Sequence, residues 1–200
     1  MSPTTSYEDL RAKLRAAPDE TQYRLYFAAL LADAAAVGAD DFFIVGGSAI
    51  EIYTVGEYTS GDIDIVSSQN ERLRAVLKSW SFRREGRVWV NEDLRLVVDL
   101  NSYPYTGDVG KTTIMTTPYG TVRLAAIEDL LVKRLISAKF WKQKGDFDHA
   151  RLLAVTFRDR IDWDYVESFA RREDVSDMLA RLRDAPGSGR SSRAGSRRSR

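Results

Sequence analysis

The chain has 200 residues, 44% of them hydrophobic and 30% charged, which suits an ordinary folded chain with a real core and excludes collagen, coiled coil and wholesale disorder. With no cysteine and a single histidine, it has no route to disulfides, thiol catalysis, iron-sulfur clusters or the usual Cys/His zinc sites, so any metal must be held by carboxylates. The net charge of +1 is uneven: Arg190, Arg193, Arg197, Arg198 and Arg200 fall in an acid-free tail, and the rest of the chain stands at −4.

The first ten residues lack a basic region followed by an apolar run, and Asp33 interrupts the most apolar stretch well short of a membrane span. A cytoplasmic protein without a membrane segment is the expectation. Tyr7 to Ala16 and Thr21 to Val37 read as helices, the second with Tyr23, Phe27, Leu30, Leu31 and Ala34 at helical spacing and Gly38 as its stop. Phe42 to Val45 is a short apolar strand that runs into Gly46-Gly47-Ser48, after which Ala49 to Thr54 opens a helix. Asp62 to Val66 alternates as a strand, Asn70 to Ser79 is a helix, and Arg83 to Val90 forms a hairpin turning at Glu85-Gly86. Leu94 to Leu100 is a further strand, and Thr112 to Met115 pairs with Thr121 to Leu124 across Pro118-Tyr119-Gly120.

Everything beyond reads as helical: Ala126 to Phe140, Phe147 to Phe157, Tyr165 to Arg172 and Val175 to Leu182. The run Lys139-Phe140-Trp141-Lys142-Gln143-Lys144 looks like the end of an amphipathic helix, with Phe140 and Trp141 packed inward and the lysines in water. Asp146 and Asp148 are placed where a helix dipole favours acids, and His149 reads as a surface residue. The order of elements predicts an α+β fold, a mixed twisted sheet flanked by helices and followed by a helical C-terminal part. The division drawn is 1–125 for the core, 126–184 for the helical part and 185–200 for a basic tail whose Ser, Gly and Arg content predicts disorder.

Chemistry concentrates between Phe43 and Val66. Two glycines let a backbone approach a bulky anion, and the N–H groups at a following helix start, with the Ser48 hydroxyl, can hold phosphate oxygens. In Asp62-Ile63-Asp64-Ile65 the strand period of two puts both carboxylates on one face and both isoleucines on the other. Adjacent aspartates repel and have poor strand propensity, so a purely structural role is hard to motivate, whereas a hard divalent ion such as Mg²⁺ prefers such oxygens and bridges them to phosphates. Asp99 is another acid embedded in an apolar strand. If its strand neighbours the first, the three carboxylates complete a cluster able to hold two ions about 4 Å apart.

Gly46-Gly47-Ser48, then Asp62-x-Asp64, then a lone strand acid at Asp99 resembles the signature of the nucleotidyltransferase superfamily with the polymerase-beta-like fold. Within it the chain is most similar to small stand-alone prokaryotic members, including toxins of toxin-antitoxin and abortive-infection systems; Ser60 takes the place of a family threonine and Tyr58 that of a basic residue. The resemblance implies metal-dependent transfer of a nucleoside monophosphate from a nucleoside triphosphate to an acceptor, with Mg²⁺ or Mn²⁺ as cofactor. It implies Asp62, Asp64 and Asp99 as metal-holding catalytic residues and Gly46, Gly47 and Ser48 as the phosphate cradle. Lys133 becomes either a further phosphate contact or a solvent-facing lysine on an amphipathic helix. Implied partners are the triphosphate, an RNA (tRNA) end, protein or small-molecule acceptor, and an antitoxin. Two other classes stay open: a noncatalytic descendant that binds a nucleotide or partner through the same pocket, and a glycosyltransferase using its Asp-x-Asp for a nucleotide-sugar.

Overall fold

A computed structural model describes residues 5–142 and 145–184; the expectation for the tail at 185–200 lies outside them. The chain divides into two compact units, Met1–Leu130 and Leu131–Arg200. Among the described residues no helix is long and apolar enough to cross a membrane.

The first unit opens with helices α1 (Tyr7–Leu14) and α2 (Glu20–Ala34), each started by a side-chain cap, Ser6 on the Asp9 N–H and Asp19 on the Gln22 N–H. α2 ends earlier than its apolar spacing predicts. Ala36 turns left-handed at φ +52°, and the Val37 N–H reaches back to the Ala32 carbonyl, which closes the helix before Gly38 is reached. Strand β1 (Phe43–Val45) leads directly into α3 (Gly46–Tyr53), followed by β2 (Ile63–Val66) and α4 (Asn70–Ser79). The hairpin β3 (Arg83–Glu85) and β4 (Val88–Asn91), strand β5 (Leu96–Asn101) and the hairpin β6 (Thr113–Thr117) and β7 (Gly120–Leu124) complete the sheet.

The seven strands form one mixed sheet in the order β3-β4-β5-β2-β1-β7-β6. β5 runs parallel to β2, β2 antiparallel to β1, and β1 parallel to β7, while the flanking hairpins are antiparallel. The acid-bearing strands are therefore central. α2 packs on β6 and β7, α3 on β1 and β2, and α2 also meets α1, α3 and α4. Leu25, Phe27, Leu30 and Leu31 of α2, Ile44, Ile50, Ile63 and Ile65 from the β1–β2 region, and Leu73, Leu77 and Trp80 around α4 are all buried there. Burial of that many large side chains is what fixes the sheet register, since a slip of one residue in β2 would place its aspartates in the apolar core.

The division falls within α5 (Ile127–Ile136). The second unit continues through α6 (Asp146–Thr156), α7 (Trp163–Arg172) and α8 (Ser176–Asp184), with Leu135, Leu153, Val166, Phe169, Leu179 and Leu182 buried. Phe140 and Trp141 do not pack inward as their spacing suggests: they are 51% and 69% exposed. The reason is local. Residues Ser137–Trp141 form a wider π-helical turn ended by Lys142 in the left-handed region, which breaks the 3.6-residue register that would have turned both rings inward. Lys139, expected in water, is instead bound to Asp174 and Asp177, the latter at 2.9 Å. That pairing draws the Asp177 carboxyl below its usual range. Asp146 stands at the start of α6 but is buried, held by Arg134 at 2.8 Å and by the Ser137 hydroxyl, with His149 Nδ1 3.4 Å away.

Candidate active site

Asp64 and Asp99 are register partners on the parallel strands β2 and β5, so their side chains leave the same face of the sheet side by side. Asp62 lies in the bend just before β2, two residues before Asp64, and its carboxylate joins theirs. One oxygen from each carboxylate lies within 4.8 Å of the others. The opposite face carries Ile63, Ile65 and Val98, all buried, so the core strands that hold the acids are anchored from below.

The start of α3 closes one side of the cluster. Gly46-Gly47-Ser48 is the first turn of the helix itself, not a loop before it. Gly46 sits at φ +58°, and a β-carbon there would run into the Asp64 carboxylate, so both backbone conformation and space reserve the position for glycine. The Gly47 N–H donates to the Asp64 carboxylate. Ser48, 2% exposed, donates its hydroxyl to the Val45 carbonyl at 2.9 Å and accepts the Asp64 backbone N–H at 3.0 Å. The hydroxyl thus ties the helix start to β2 and fixes the height of Asp64.

Burial and the neighbouring charges raise two of these carboxyls, Asp64 and Asp99. Asp64 is pushed up to about 6, first by burial and next by the charge of Asp62, with Asp99 adding to it; hydrogen bonds from the Asn101 amide and the Gly47 N–H act against the rise. Burial likewise lifts Asp99, opposed by the guanidinium of Arg87 and helped by Asp62. Asn101, two residues beyond Asp99 on β5, donates to Asp64 Oδ1 and to the Asp99 carbonyl, both at 3.4 Å. Arg87 Nη2 stands 3.2 Å from Asp99 Oδ2.

A second, buried assembly sets the approach to Asp62. Glu51 on α3 is 2% exposed; its Oε2 accepts the Ser60 N–H at 2.7 Å and its Oε1 faces Arg24 Nε of α2 at 3.4 Å. The Ser60 hydroxyl in turn donates to the Asp62 carbonyl at 2.9 Å. Helix α3 therefore holds both ends of the segment that delivers the acids, Asp64 through Ser48 and Asp62 through Glu51 and Ser60.

The donor set suits a divalent cation. All three groups are hard oxygens on one face, and their mutual repulsion is relieved by a positive ion placed among them. Asp62, Asp64 and Asp99 are brought together, Asp99 because its strand β5 neighbours β2, with Gly46, Gly47 and Ser48 beside Asp64. Lys133 is a half-buried residue of α5 in the second unit. Four residues escaped sequence reasoning. Asn101 and Glu51 carried a signal, the first at strand spacing from Asp99 and the second as a lone acid in the apolar run Ala49-Ile50-Glu51-Ile52. Arg24 and Arg87 carried none, because each is reached only through folding.

A family model described as a nucleotidyltransferase of unknown function (DUF6036) matches residues 27–184 of the chain. No curated protein and no solved structure matches it.

Proposed function

The chain belongs to that family of nucleotidyltransferases, and from this membership we propose that it transfers a nucleoside monophosphate from a nucleoside triphosphate to an acceptor hydroxyl or phosphate, with Mg²⁺ or Mn²⁺ as its ion. The observation that carries the reading is the convergence of Asp62, Asp64 and Asp99 on one sheet face beside a helix that begins Gly46-Gly47-Ser48. The same arrangement supports reading the sheet as polymerase-beta-like. Asp62, Asp64 and Asp99 would hold the divalent metal, whose charge would neutralise the phosphates and stabilise an in-line transition state.

The remaining work belongs to the chain's own groups. The first turn of α3 receives the β and γ phosphates at the positive end of the helix. As the acceptor oxygen bonds to the α-phosphorus, the α–β anhydride bond breaks and pyrophosphate leaves. The acceptor proton passes to Asp99, whose burial makes it more basic than an ordinary aspartate. No covalent enzyme intermediate is required. The acceptor is an RNA end such as tRNA, a protein or a small molecule, and the biological setting we read is the toxin of a toxin-antitoxin pair.

Incubation with each α-labelled triphosphate, Mg²⁺, and bulk tRNA or cell protein tests the reading. Label should move to one acceptor class, vanish with EDTA, and fall by at least about two orders of magnitude in Asp64→Asn, roughly 3 kcal/mol of transition-state stabilisation. Triphosphate binding with no transfer to any acceptor would make the chain a noncatalytic nucleotide binder instead. Growth arrest on expression, relieved by a neighbouring gene product, tests the toxin setting.

A further inference from the structure

Arg87 enters the site from an element that the transfer reaction above does not use. β3 and β4 are joined by the tight turn Gly86-Arg87, in which Gly86 takes φ +61° and Arg84 Nε donates to the Gly86 carbonyl at 3.0 Å. The next residue, Val88, is the register partner of Asp99, so the turn ends one residue short of the acid. The Arg87 side chain is 80% exposed and that of Asp99 6% exposed, yet their charged atoms stand 3.2 Å apart. A positive charge is thereby set at the solvent edge of a cluster of carboxylates that repel one another.

Such a contact is cheap to break. An ion pair with one partner in water is weakly held, and a turn arginine gives up no packing on leaving. A divalent cation on the same carboxylate would compete with it directly. Once displaced, the guanidinium remains within a side-chain length of the site, and its planar array of donors matches the oxygens of a phosphate.

Resting on the nucleotidyltransferase reading, we propose that Arg87 is an exchangeable cation: it neutralises Asp99 while the cluster is free of metal, and when a divalent ion takes the carboxylate it passes to a phosphate group bound over the site. That phosphate belongs to the triphosphate or to a nucleic-acid acceptor, and the two sources separate in the test.

Parent, Arg87→Ala and Arg87→Lys are titrated calorimetrically with Mn²⁺ alone, then with a non-scissile α,β-methylene ATP or GTP analogue plus Mg²⁺, and with bulk tRNA plus Mg²⁺. Arg87→Ala should bind Mn²⁺ about threefold more tightly, because no resident cation has to leave. The same variant should bind one phosphate probe about fivefold more weakly, the analogue if the triphosphate is the source and tRNA if the acceptor is. Arg87→Lys should return Mn²⁺ affinity to that of the parent. Opposite signs in one variant are the signature, since a turn that merely supports the sheet would weaken both or move neither. Unchanged or weaker Mn²⁺ binding in Arg87→Ala overturns the proposal, and so does tighter Mn²⁺ binding with unchanged affinity for both phosphate probes. A parent that binds neither Mn²⁺ nor nucleotide sinks the nucleotidyltransferase reading itself, whereas a parent that binds both while Arg87→Ala behaves identically sinks only the role of Arg87.

Discussion

Asp64 is the residue whose chemistry departs furthest from its ordinary state in the site, because it is buried, next to Asp62 and Asp99, and pinned by Ser48 and Gly47. Its carboxyl titrates near 6 in the folded protein against about 3.8 in the unfolded chain. Between those values the folded state holds the extra proton, so this group favours folding at low pH and the contribution is lost as pH rises toward 6. The loss is on the order of 3 kcal/mol for a shift of this size. Asp64→Asn keeps the shape and removes the charge. In EDTA the variant should match the parent near pH 4 and exceed it by up to about 3 kcal/mol at pH 7.5, with the gap opening between pH 4 and 6. Melting curves across that range measure it. A variant less stable than the parent at pH 7.5 would mean that Asp64 is held as a stabilising anion, and the repulsion argument would fail.

At the scale of elements, the site depends on α3 as a strut. Two short tethers leave it, Ser48 to the backbone of Asp64 and Glu51 to the loop before Asp62, and the second is balanced by Arg24 reaching across from α2. Arg24 Nη1 is buried without a hydrogen-bond partner, so the arginine depends on the charge of Glu51 more than a fully bonded one would. Removing Glu51 leaves that buried cation with only the exposed Glu20, 4.0 Å from its Nε, so the loss falls at or below the low end of the about 3 to 5 kcal/mol typical of an uncompensated buried charge. Glu51→Ala should therefore lower stability by about 3 kcal/mol in urea melts, while Glu51→Gln, which still offers an oxygen to the Ser60 N–H, should lose less. Both should weaken Mn²⁺ binding by about tenfold through the loosened Asp62 segment, as changes to groups behind metal ligands commonly do. Equal Mn²⁺ affinity in a folded Glu51→Gln would show that the tether supports the fold and leaves Asp62 alone.

At the scale of the whole molecule, metal binding and stability are one quantity. The first unit has its own buried core, and across its middle strands it carries three like charges whose repulsion opposes folding until a cation offsets it. An ion that binds only the folded protein stabilises it by about 2.7 kcal/mol at a hundred times its dissociation constant. Added Mg²⁺ or Mn²⁺ should therefore raise the melting temperature in proportion to the logarithm of its concentration, EDTA should reverse the rise, and Asp99→Asn should flatten it. A melting temperature indifferent to either ion in the parent would remove the metal from the site. The charge balance bears on the acceptor: with five tail arginines set against −4 in the rest of the chain, RNA binding that depends on the tail should weaken steeply with salt.

Much of the first unit could be read from the chain because its signals are local. The alternation of Asp62-Ile63-Asp64-Ile65 sets which side chains share a face, and the span of α4 follows from its apolar period. Glycines at Gly46 and Gly86 mark left-handed turns wherever the chain goes next. Other features depend on partners distant in sequence. That β5 is the parallel neighbour of β2, and so brings Asp99 against Asp64, follows from how the whole sheet buries its apolar face, and neither strand encodes it separately. Arg24, Glu51 and Ser60 form one assembly only after α2, α3 and the following loop have packed, and the exposure of Phe140 and Trp141 turns on a π-helical turn that the amphipathic spacing does not announce. Periodicity and turn chemistry act over a few residues and survive in the sequence; strand order, ion pairing and burial are set by the free energy of the entire packed chain, and only the tertiary structure decides them.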